Sequence, residues 1–250
     1  MWQYRGLIKN LTIAELKNRY QNTSVGFFWS ILGPFLLAIV LYVVFKNLFK
    51  QEENFAVNLI VGIMAWRFFA NGTMSSLSSI VSKPSLVTKV YIPREILTLS
   101  TVLSNLICSI LEFVVLLPIV FVLVGKMPVT VLLLPVLHLL YFWLVLGGGL
   151  FLAALFVYFR DLSQIWEVLL NILMFCSPII YPLSIVPAHL KTYYMLNPLT
   201  RLVIMYRDVM VAGKLPSLSD FGIVIGFGAL VFLVGSFTFG KLQRRFAEAI

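Results

Sequence analysis

The chain has 250 residues, 60% of them hydrophobic and only 12% charged, with 21 phenylalanines. A water-facing surface needs roughly twice that share of ionic side chains, so the composition excludes a soluble globular domain and points to an integral membrane protein. The net charge of +9 does not argue for nucleic acid, because in a membrane chain the position of each Lys and Arg says more than the total.

Residues 4–20 predict an interfacial amphipathic helix: Tyr4, Leu7, Ile8, Leu11 and Ala14 share a face while Arg5, Lys9 and Lys17 point elsewhere. Ile13 and Leu16 fall off that face and Glu15 intrudes on it. A polar lead-in (Arg19, Tyr20, Gln21, Asn22, Thr23, Ser24) then opens about 22 residues almost free of charge, enough to cross a bilayer at about 1.5 Å per residue. Phe28, Phe35, Tyr42 and Phe49 recur there every seventh position, with Phe45 one turn from its neighbours, so a helix gathers them into an aromatic stripe. Such a stripe serves helix packing or lipid contact, or a non-polar, sugar-tolerant lining for a conduit.

The fold class predicted is all-α and integral to the membrane: a single transmembrane domain over residues 1–250 with six spans, at 28–48, 55–80, 96–124, 129–158, 164–181 and 221–240. The second span holds Arg67 and the third holds Asn105 and Glu112. Between them runs a polar interruption bounded by Pro84 and Pro93, a short helix whose Leu86, Val87, Val90, Tyr91 and Ile92, beside Lys89, offer anchors for a groove on another protein or for the membrane surface. Gly147, Gly148 and Gly149 in the fourth span allow close approach of a neighbour or a bend, and Gly222 and Gly226 open the sixth at close-packing spacing. Residues 179–218 are too apolar for an ordinary loop yet broken by prolines, which predicts an external re-entrant helical hairpin. Six spans put both termini on one side, and the basic residues concentrated there (Arg5, Lys9, Lys83, Arg94, Arg160, Arg244 among them) place that side in the cytoplasm.

Catalytic chemistry has little to draw on. The two histidines, His138 and His189, have no second ligand at metal spacing, and Cys108 and Cys176 sit in apolar runs, so neither a metal nor a cofactor is expected. Residues 235–241 match most of a phosphate-binding loop, but Leu242 stands where Ser or Thr should hold magnesium, so the chain is not expected to be an enzyme and any ATP hydrolysis belongs to another subunit. Arg67 and Glu112, costly inside a membrane, pair with one another either as a structural bridge or as a functional site; a channel for ions or small solutes built on that pair is the competing reading.

Several stretches taken in order resemble one family: Arg19-Tyr20 with Gly26, Trp29 and Pro34; Val90-Tyr91-Ile92-Pro93-Arg94-Glu95; Phe159-Arg160-Asp161; Ser177-Pro178-Ile179-Ile180-Tyr181-Pro182; and Asn197-Pro198-Leu199-Thr200 with Tyr206-Arg207. Together they are similar to the membrane subunits of bacterial polysaccharide and polyol-phosphate ABC exporters, the O-antigen, capsule and teichoic acid permeases. The resemblance implies a homodimer in the bacterial inner membrane, among membrane lipids, partnered by two copies of an ATP-binding cassette subunit and exporting a lipid-linked polysaccharide. It implies an amphipathic gate helix over 4–20, with Tyr4, Leu7, Leu11, Arg19, Tyr20 and Trp29 at the gate, a coupling helix over 83–93, and external gate helices over 183–212. The aromatic stripe would then line the channel between protomers. Arg67 departs from the expected pattern.

Overall fold

The computed structural model describes residues 2–21, 26, 28–48, 54–90 and 92–249, and every regular element among them is helical. Phe49, Tyr91 and the lead-in residues Asn22, Thr23 and Ser24 lie outside the described residues. Long apolar runs become helices because a helix satisfies its own backbone, which lipid cannot do.

The chain runs through α1 (Arg5–Tyr20), α2 (Phe28–Phe45), α3 (Phe55–Ser78), α4 (Pro84–Lys89), α5 (Glu95–Val124), α6 (Leu134–Phe156), α7 (Leu162–Phe175), α8 (Ala188–Leu196), α9 (Pro198–Arg207), α10 (Leu218–Leu242) and α11 (Phe246–Ala249). Five stretches are long and apolar enough to cross a membrane: α2, α3, α5, α6 with the turn before it, and α10. The fifth predicted span, 164–181, differs. Its regular helix, α7, stops at Phe175 after 14 residues, about 21 Å against a hydrocarbon core of about 30 Å. Pro178 has no N–H to continue the ladder, and the Tyr181 hydroxyl turns back to donate to the Phe175 carbonyl at 2.6 Å.

Helix α3 is the centre of the bundle, packed against α2, α5, α6, α7 and α9. Phe68 and Phe69 of α3 meet Phe113 of α5, His138 and Tyr141 of α6 and Tyr206 of α9 in one buried aromatic cluster. His138 belongs to that packing: one ring nitrogen lies 3.0 Å from the Leu134 carbonyl and the other 3.5 Å from the Ser109 hydroxyl.

The glycine triplet produces close approach within an unbroken α6. A Cβ on Gly235 of α10 would lie 2.1 Å from the Gly147 oxygen, so the two backbones touch there. Gly222 and Gly226, by contrast, face open space on a side of α10 where a Cβ would meet nothing within 4 Å among the described residues.

Two ends of the bundle are distinct. At one, α4, α11, the start of α5 and the end of α10 gather around both termini: Arg94 donates to the Gln243 carbonyl, and Phe246, fully buried, packs edge-on against Phe239. At the other, the turn after α5 meets the segment after α9, where Thr130 donates to the Val209 carbonyl at 2.7 Å. Asn197 caps α9 by accepting from the Leu199 N–H, and Ser217 with Asp220 forms a reciprocal cap on α10 while Asp220 pairs with Arg201. These contacts fold the 183–212 segment onto the bundle, with the inner face of α9 buried against α3, α6 and α10.

Candidate functional site

Helix α2 touches the rest of its own chain along one narrow face. Pro34 and Ala38 are buried there, Phe35, Leu41 and Phe45 rest half-buried against the core, and only 11% of the helix is buried, against 67% of the most apolar stretch of α3. Phe28 is 71% exposed, Trp29 is exposed and Tyr42 is 39% exposed. The heptad keeps Phe28, Phe35 and Tyr42 on one flank because an α-helix drifts only about 20° over seven residues, whereas Phe45, three residues past Tyr42, turns about 60° toward the core. At its far end Tyr42 meets Phe55 of α3, ring centres 6.3 Å apart.

The inner face of α1 is not quite the predicted one. Leu7, Ile8 and Leu11 lie on it, but it continues through the buried Thr12, then Glu15 and Leu16, while Ala14 is exposed. Thr12 is accommodated by donating to the Ile8 carbonyl at 2.8 Å. Glu15 is on the face because it has partners: it pairs with Lys83 just before α4 and accepts from Thr101 of α5 at 3.4 Å. Tyr4 lines a cavity at the terminal end together with Val90, Ile92 and Arg94.

The end of α1 enters a polar network between the spans. Arg19 donates to the Asn105 side chain at 3.0 Å, and Asn105 donates in turn to Ser75 at 2.9 Å. The Tyr20 hydroxyl lies 3.0 Å from Ser30 of α2 and 3.2 Å from the Cys108 sulfur. Burial first, then the contact with Cys108, pushes the Tyr20 phenol up to about 12. Arg67 donates to the Ser30 carbonyl at 3.4 Å and stands 3.9 Å from the carboxylate of the buried Glu112. The two intramembrane charges therefore face each other, and both sit beside the point where α1 hands over to α2.

The short helix α4 spans fewer residues than the predicted 83–93 segment and presents its side chains in two directions. Val87 is only 3% exposed and turns into the subunit, and Leu86 and Ile92 rest half-buried against the core. Lys89 and Val90 face outward. Sequence pattern alone treated these residues as one surface, because six residues are too few for a period to separate inner from outer.

At the opposite end Arg207 is a three-way clamp. Its guanidinium donates to the carbonyls of Asn58 at 2.9 Å, Pro178 at 2.7 Å and Ile179 at 2.7 Å. A Cβ on Gly62 would meet the guanidinium at 2.7 Å, so the small residue makes room for it. The clamp holds the break after α7 to the start of α3. Next to it, burial pushes the Asp208 carboxyl upward from the ordinary aspartate range and Asp220 adds to this, while Lys214 and Arg207 oppose it.

Long apolar helices, a short amphipathic helix tied to the spans and intramembrane polar groups define a multi-pass membrane protein. The chain belongs to the ABC-2 type transporter family, whose model matches residues 6–211. It is 33% identical over 257 residues to an O-antigen export system permease protein, RfbA, of Myxococcus xanthus, covering 100% of this chain and 97% of that protein. It is 28% identical to an RfbA protein of Klebsiella pneumoniae, covering 98% and 95%, and 23% identical to the polysialic acid transport protein KpsM of Escherichia coli, covering 97% and 94%. Membership of this family implies that the chain works with an ATP-binding subunit in a bacterial transporter.

Proposed function

We propose that the chain is the channel-forming permease of an ATP-driven exporter that moves a lipid-linked polysaccharide, such as O-antigen, out across the inner membrane. The observation that carries this reading is the full-length similarity to O-antigen and capsule permeases. The permease acts as a homodimer with two ATP-binding subunits and both termini in the cytoplasm. One copy leaves α2 largely uncovered, and a second copy closes a path wide enough for a polymer. Aromatic faces suit that path, since pyranose C–H surfaces stack on them without demanding a fixed sugar sequence.

The contacts supply a mechanical route. The ATP-binding subunit docks on the outward side of α4, at Lys89 and Val90. Movement of α4 reaches α1 through the Lys83–Glu15 pair, and α1 reaches α2 and α5 through Arg19, Tyr20 and their partners. The gate helix and the channel helix thus respond to one stroke. The competing channel reading needs Arg67 and Glu112 to face a conduit; their mutual approach to 3.9 Å, with the carboxylate buried, favours bracing.

Deletion of the gene tests the reading. Surface polysaccharide should disappear, lipid-linked polymer should accumulate on the cytoplasmic face, and the wild-type gene should restore export. Unchanged surface polysaccharide in the deletion strain would contradict it.

A further inference from the structure

At the end of the bundle opposite the termini lies a cavity of about 330 Å³, between the start of α3, the turn at 181–183 and the segment that ends α9. That volume falls at the small end of the range for small-molecule sites, roughly 300–1,000 Å³. Its chemistry is mixed. Phe55 supplies an apolar wall, and it is the residue against which Tyr42, at the far end of the exposed flank of α2, rests its ring. Asn54 and Asp208 supply polar groups, and Arg207 behind them is committed to three backbone carbonyls.

Asp208 is half-buried, and its carboxylate makes no hydrogen bond and no ion pair within 4.0 Å among the described residues. The Asn54 side chain also makes no hydrogen bond among them, and Asn54 is held in left-handed backbone geometry at φ 56. A carboxylate with open lone pairs and a free amide, set against an aromatic ring, suit a neutral ligand rich in hydroxyls. The alternatives fit less well. An anion would meet the Asp208 charge, and a metal ion would find one carboxylate among the described lining residues, next to a guanidinium.

We propose that this cavity is a saccharide subsite, taking one pyranose residue of the exported chain, with Asp208 and Asn54 bonding ring hydroxyls and Phe55 facing the C–H surface. The proposal rests on the transport reading and adds a place where the polymer is held as it leaves the α2 flank. A weak, single-sugar site there holds a sliding chain without stopping it.

Saturation-transfer NMR on the full chain in lipid nanodiscs tests this, with methyl glucoside, galactoside, mannoside and rhamnoside as probes and EDTA present. At least one probe should receive saturation. The signal should fall roughly tenfold in Asp208→Ala, which removes a charged acceptor, and roughly fivefold in Asn54→Ala, while Lys126→Ala at the same end leaves it unchanged. If Asp208→Ala fails to fold, the exposed Asn54→Ala carries the test alone. No transfer to any of the four probes, transfer insensitive to both substitutions, or transfer seen only when calcium replaces EDTA would overturn the subsite. Restoration of surface polysaccharide by the wild-type gene in the deletion strain is scored separately, so a failed subsite and a failed transport reading give different results.

Discussion

Helices α2 and α3 are both apolar enough to cross a bilayer, yet 11% of the first is buried by its own chain against 67% of the second. Most of α3 is enclosed, and hydroxyls on it are satisfied locally: Thr73 donates to the Phe69 carbonyl and Ser76 to that of Gly72. Helix α2 makes one narrow contact and leaves Phe28, Trp29 and Tyr42 uncovered. Hydropathy marks both as able to cross a membrane without saying what either one packs against. The difference separates a helix enclosed by its own chain from one left to meet something outside it.

The comparison breaks most visibly in the scaffold. Gly235→Leu drives a side chain into the Gly147 backbone and should abolish folded protein, read as loss of a monodisperse peak in detergent. Phe68→Ala, emptying the aromatic cluster of α3, should cost about 3–5 kcal/mol in denaturant titration. Glu112→Ala leaves Arg67 without its counter-charge; because Arg67 is partly exposed the cost should be nearer about 2 kcal/mol, and replacing both residues by leucine should recover most of it.

Smaller changes in stability sharpen the working side. Lys83→Ala should cost at most about 1 kcal/mol, since the pair with Glu15 is partly exposed. It should still slow export while ATP hydrolysis continues, and the charge swap Lys83→Glu with Glu15→Lys should restore coupling. Phe28→Ala and Tyr42→Ala should change stability least, by about 0.5 kcal/mol or less, and yet reduce surface polysaccharide. Export loss without stability loss is the signature of α2; stability loss that drags export with it is the signature of α3.

The five long spans were legible in the sequence because uninterrupted apolar length has one physical meaning in a membrane. The end of α7 was legible in part: the prolines from Pro178 onward marked a break, but Ile179 and Ile180 carried the predicted span to 181, and the clamp by Arg207 that holds the turn needed the fold. Arg207 itself could not be read as a clamp, because its partners are backbone carbonyls, which carry no sequence signal. Glu15 was legible as an anomaly on an apolar face, but its pairing with Lys83 required the folded chain. The glycine triplet was legible as a point of close approach or bending, and Gly147 makes the close crossing; its partner Gly235 was not, because spacing pointed instead to Gly222 and Gly226, and spacing says that a helix has a smooth face, not which face meets a neighbour. Arg67 and Glu112 were legible as a pair because both are costly and lie on adjacent spans, but their placement beside Ser30, at the junction of α1 and α2, required the folded chain.

The central claim is that the uncovered flank of α2 faces a path between two copies of the subunit. A photo-activated cross-linker introduced at position 42 in cells exporting polysaccharide measures this directly. The account predicts adducts with the glycan and with a second copy of the chain. Adducts with phospholipid alone would contradict it.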